Sequence, residues 1–149
     1  MSGVVEPWSP DDPGVLVLPS GRLVRGRGLR DPLPSGPLPT YALYLLGREP
    51  APQPWPSRWL RWPDFRLPAD RDDAVDALRD TFARLADDRV EVACAGGLGR
   101  TGTALACLVA LDTGRTEGAV EHVRAHYDRH AVETPGQRRY VARFLGRRG

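Results

Sequence analysis

The chain has 149 residues, of which 41% are hydrophobic and 27% charged, and a formal net charge of +2. These values describe one folded domain with enough apolar chain for a core, and a charge balance too even to argue for a nucleic-acid partner. Residues 1–10 lack a basic-then-apolar leader and no apolar run reaches membrane-spanning length. The expectation is therefore a single domain over 1–149, with residues 1–13 a loose N-terminal tail and no membrane partner. Two cysteines make no disulfide framework, which fits a reducing, cytoplasmic setting.

Fourteen of the 15 prolines lie at or before Pro68, so strands and loops are expected first and long helices later. Apolar runs at Val15–Leu18, Leu23–Val24, Tyr41–Leu46 and Trp59–Trp62 predict strands, with proline-rich connectors over 31–39 and 49–56. Asp70 can cap a helix over 71–87, on which Val75, Leu78, Phe82 and Leu85 recur at helical spacing. A strand over 90–93 and a buried helix over 101–112 follow. A further helix spans about 117–128, with Val120, Val123 and Tyr127 on one face. The last starts at Thr134-Pro135, an N-cap followed by proline, and Gly146 is its expected stop. This order predicts an α/β fold with a small central sheet flanked by helices.

Between the 90–93 strand and the next helix runs Cys94-Ala95-Gly96-Gly97-Leu98-Gly99-Arg100-Thr101. A strand, a glycine-rich turn and a helix N-terminus build an anion cradle, because backbone N–H groups converge where the helix dipole is positive. The amides of Ala95, Gly96, Gly97, Leu98, Gly99 and Arg100 are the expected phosphate ligands. Arg100 adds a bidentate grip, and the same field favours the thiolate form of Cys94. A thiolate beneath a bound phosphate points to phosphoryl transfer to sulfur. Competing readings are a tight turn around a buried cysteine, or a nucleotide-binding loop. The latter needs a lysine, and the chain has none. Thr101 either hydrogen-bonds the sulfur or caps the helix. The Thr134-x-x-Gln137 spacing is that of a capping box. His122, His126 and His130 are expected on a solvated helix face rather than around a metal, and Cys107 in the core.

The cradle resembles the Cys-x5-Arg-Ser/Thr signature of the cysteine-based protein tyrosine phosphatases. Trp62-Pro63-Asp64-Phe65, with Asp64 standing 30 positions before Cys94, is similar to the family's mobile acid loop. Glu133-Thr134-Pro135-Gly136-Gln137 is similar to its glutamine-bearing loop. The resemblance covers about residues 62–137 and implies a compact bacterial-type or dual-specificity-like phosphatase domain, a three-layer α/β sandwich. It implies metal-independent hydrolysis of phosphomonoesters through a phosphocysteine, without a cofactor, on a phosphorylated protein or peptide. In that scheme Cys94 is the nucleophile, Arg100 binds phosphate, Asp64 is the general acid, Thr101 assists the sulfur and Gln137 positions water. Capping and water positioning both remain open for Gln137. Two departures are visible: Ala93 stands where the family has histidine, and no aromatic loop deepens the pocket for phosphotyrosine. They leave room for a phosphate-binding regulatory domain of weak turnover, and for a phosphoinositide or small-molecule phosphatase.

Overall fold

The computed structural model describes residues 4–146. Among them, one sheet holds β1 (Val15–Val17), β2 (Leu23–Gly28), β3 (Tyr41–Leu46), β4 (Ser57–Arg61) and β5 (Val90–Cys94). The spatial order is β1-β2-β5-β3-β4. β1 runs antiparallel to β2 and the other pairings are parallel. The helices are α1 (Arg71–Arg84), α2 (Gly99–Thr113), α3 (Ala119–His126) and α4 (Pro135–Arg143), with a 3-10 turn over Phe144–Gly146. The α/β class is the expected one.

Buried α2 is the hub, packing on α1, α3 and α4 and beneath β2 and β5. Leu16, Val24, Leu43, Leu60 and Val92 of the sheet share one core with Leu78, Leu105, Val123 and Tyr140 of the helices. The opposite sheet face is covered differently. Ala42, Tyr44 and Ala93 lie there beneath Leu29, Leu46 and Trp55. No helix contributes to that covering; Trp55, from the proline-rich connector before β4, donates its Nε1–H to the Tyr44 hydroxyl at 2.9 Å.

On the same far face, Glu91 is fully buried and accepts hydrogen bonds from Arg25 and Arg27. Arg25 lies opposite Glu91 in the β2–β5 register. This pairing carries β2 on to Gly28, four residues past the expected Leu23–Val24, through a stretch of arginine and glycine with no strand signature.

The expected loose tail is a correction. Trp8 is buried, its indole N–H donates to Val90 O at 3.1 Å, and the Arg25 guanidinium lies 4.4 Å from its ring centroid. Residues 1–3 lie outside the described residues. α1 starts as expected, with the Asp70 side chain accepting from Asp73 N, but ends at Arg84. α3 is also shorter than expected: Gly118 has φ 82° and the helix ends at His126. His130 therefore lies beyond the helix, beside Asp128. No described helix is long and apolar enough to cross a membrane.

Candidate active site

β5, β2 and β4 are parallel or share parallel neighbours, so the loops after them gather at one sheet edge. Ligands of α/β sheets bind outside that carboxyl edge. β5 ends at Cys94 and α2 begins at Gly99, which leaves four residues for the turn. Gly97 has φ 79°, and a Cβ there would stand 2.6 Å from Gly28 N, so only glycine fits. Its amide donates to Cys94 Sγ at 3.1 Å, a contact that stabilises negative charge on sulfur. Leu98, the N-cap of α2, offers no capping side chain, leaving first-turn amides to a ligand.

Arg100, in the first turn of α2, is 4% exposed and reaches across to the acid loop. Its Nη1 donates to Trp62 O at 3.0 Å, and its Nη2 lies 3.4 Å from Asp64 Oδ1. Trp62 anchors that loop by full burial and by donating Nε1–H to Arg66 O at 2.7 Å. Phe65 next to Asp64 sits at φ 59° and is 60% exposed. An aromatic held in the left-handed region and left in water is a strained, unpacked side chain. Asp64, Phe65, Cys94, Gly96, Gly99 and Glu133 line a cleft of about 340 Å³, with Arg30 and Asp31 at its rim.

The third loop meets the cradle at Gly99. Thr134 caps α4, and with Gln137 it forms the complete capping box. Gln137 Oε1 accepts from Glu133 N at 2.9 Å and from Thr134 N at 3.3 Å. The side chain is buried against the Gly99 backbone, and its Nε2 has no hydrogen-bond partner among the described residues. The helix-capping alternative for Thr101 is corrected: α2 starts two residues before it. Its hydroxyl is buried and has no hydrogen-bond partner among the described residues.

Ala93 turns to the far face of the sheet, away from Cys94, because successive strand residues alternate. It is fully buried among Ala42, Tyr44 and Trp55. Ala93→His is therefore expected to overpack that face and to lower stability by about 1–3 kcal/mol. A denaturant midpoint unchanged from wild type would show that the face has room for the ring.

Two features escaped sequence reasoning. Glu91 with its arginines supports the strands under the cradle, and Tyr127 donates to Gly97 O at 2.7 Å. The only signal for Tyr127 was its place on the apolar face of α3, which reads as ordinary core.

The sequence profile of the protein-tyrosine phosphatases matches residues 50–137, a span that contains the acid loop, the cradle and Gln137. The chain belongs to the protein-tyrosine phosphatase family. Two uncharacterised proteins of Methanocaldococcus jannaschii, MJECL20 and MJ0215, are each 34% identical to this phosphatase-family chain. The matches cover 65% and 60% of it, and it spans 65% and 55% of those two relatives. Among solved structures, Tk-PTP in its active form is similar at TM-score 0.60 and 25% identity, over 70% of this chain and 76% of that one. Human DUSP28 matches at 0.56 and 21%, over 72% and 77% of the two chains. PTPMT1 in complex with PI(5)P matches at 0.55 and 16%, over 71% and 76%. These last two likenesses establish the shared fold.

Proposed function

We propose that the chain is a protein tyrosine phosphatase that hydrolyses phosphomonoesters through a phosphocysteine, without a metal. One observation carries the reading. Arg100 sits in the cradle that begins at Cys94 and contacts both Trp62 O and Asp64. Cys94 and Asp64 thus line one cleft, and the buried guanidinium beside it reaches the acid.

In the first step Cys94 Sγ attacks phosphorus. The S–P bond forms as the ester P–O bond breaks, and Asp64 gives its proton to the leaving oxygen. The amides from Ala95 to Arg100 and the guanidinium hold the equatorial oxygens, where the transition-state charge spreads. Arg100 exchanges its contact with Asp64 for phosphate as substrate enters. In the second step Asp64, now a carboxylate, takes a proton from water as that water attacks phosphorus. The S–P bond breaks and phosphate leaves. The unpartnered Thr101 hydroxyl supports donation to the departing sulfur. Gln137 has its carbonyl engaged by the capping box, so any hold on water falls to its free Nε2–H₂.

Phe65 offers an aromatic wall at the cleft, which favours an aryl leaving group. Asp31 and Glu133 outnumber Arg30 among the charged groups that line the cleft beside Asp64, which disfavours a headgroup carrying further phosphates, so a phosphorylated protein or peptide is the substrate proposed. Neither Cys94 nor Cys107 is in a disulfide, and the nucleophile must stay reduced, which favours the reducing cytoplasm.

The test is a panel of phosphotyrosine, phosphoserine and phosphothreonine peptides with inositol phosphate headgroups, all assayed in EDTA. Turnover of the phosphotyrosine peptides that is inhibited by vanadate is expected. Activity that requires a divalent metal, or that is confined to the headgroups, would overturn the proposal.

A further inference from the structure

Outside the lining of the cleft, α3 ends at its C-cap residue Tyr127. The Tyr127 hydroxyl donates to Gly97 O at 2.7 Å. Its ring lies against Gly26 of β2, where a Cβ would come within 2.6 Å of the ring atoms. The absence of a side chain on Gly26 is what admits the ring. Burial raises the phenol's pKa, and the sulfur of Cys94 acts in the same direction, so the O–H group remains a donor throughout the neutral range.

The peptide joining Gly97 to Leu98 is the centre of the cradle. A trans peptide is planar, with its C=O and N–H pointing in opposite directions. A Gly97 carbonyl held outward by Tyr127 therefore turns the Leu98 N–H inward, toward the cleft that Cys94, Leu98 and Gly99 line. The reverse orientation would aim a carbonyl oxygen at the phosphate. Glycine at 97 accepts either orientation of that peptide more readily than any other residue, so a selecting contact is needed.

The flanking contacts do not provide it. Gly97 N is engaged by Cys94 Sγ on one side of the peptide, and Leu98 O by Gly102 N and Val132 N on the other. Arg124, one turn before Tyr127, pins the third loop by donating to Ala131 O and Val132 O. α3 thus grips the walls of the cradle through Arg124 and its central peptide through Tyr127. We propose that Tyr127 is a positioning residue that fixes the Gly97–Leu98 peptide with its N–H facing the phosphate.

This inference rests on the reading of Cys94–Arg100 as a phosphate cradle, and Tyr127→Phe tests it while keeping the ring against Gly26. The measurements are kcat/KM on p-nitrophenyl phosphate, inhibition by orthovanadate and by inorganic phosphate, and the thermal midpoint. A lost or misdirected oxyanion donor costs about 10²–10³ in rate. A peptide left free to sample both orientations should cost less, about tenfold in kcat/KM. Orthovanadate, which adopts the five-coordinate shape of the transition state, should lose more affinity than phosphate. A purely structural role would lower the midpoint and leave both rate and the vanadate-to-phosphate ratio at wild-type values. That result would overturn the inference and leave the cradle reading standing. A wild-type protein that neither turns over substrate nor binds vanadate would overturn both.

Discussion

Cys94→Ser is expected to lower turnover by about 10⁴-fold or more while leaving inorganic phosphate bound nearly as well as in the wild type. A serine hydroxyl is a far weaker nucleophile than a cysteine sulfur, so the variant lacks an effective one. The groups that hold the anion are untouched: the loop amides, the first turn of α2 and the Arg100 guanidinium are all present without the sulfur. Phosphate affinity measured by calorimetry, beside turnover of an aryl phosphate, separates the two roles. Residual turnover near the wild-type rate would place the nucleophile elsewhere, and loss of phosphate binding in step with turnover would mean that the substitution had collapsed the loop.

Asp64→Asn is expected to slow phosphotyrosine hydrolysis by about 10²–10⁴-fold, the range of a lost general acid. An activated aryl phosphate should lose far less. The tyrosine phenol has a pKa of about 10 and leaves poorly as an anion, whereas a more acidic phenol departs without a proton. Asparagine keeps an oxygen for the contact with Arg100, so the substitution removes the proton and spares the geometry. Equal losses on both substrates would show that Asp64 matters only for holding the acid loop closed against Arg100.

The parts of this molecule that were legible in its sequence are those governed by neighbours in the chain. Asp70 and Thr134 cap the helices expected of them because a cap needs only the next three residues. The turn from Cys94 to Arg100 was legible because three glycines and an arginine in that spacing leave few other uses. β2 was half missed, since Arg25, Gly26, Arg27 and Gly28 become a strand only when Glu91 and Tyr127 arrive from elsewhere. The start of α2 was placed two residues late because the cradle's own Gly99 and Arg100 already belong to the helix. Trp8, read as part of a tail, is drawn in by Val90 O and Arg25, partners 82 and 17 positions away. Contacts between chain-distant residues leave no local period to read.

The strand order has a consequence for how the protein is made. β5 is the last strand synthesised, yet it lies at the centre, between β2 and β3. Arg25 must wait for Glu91, and Tyr41 for Val90. Until the chain has grown past Cys94, β2 and β3 have no common neighbour, and the arginines of β2 have no carboxylate to make their burial tolerable. Closing such long loops is slow and leaves strand edges open meanwhile. A nascent chain arrested before residue 90 would carry Asp64 and its loop after the β3–β4 pair, but neither the strand that joins this pair to β1–β2 nor the cradle. The chain thus completes the cradle only when its centre closes, and no product that stops before β5 carries it.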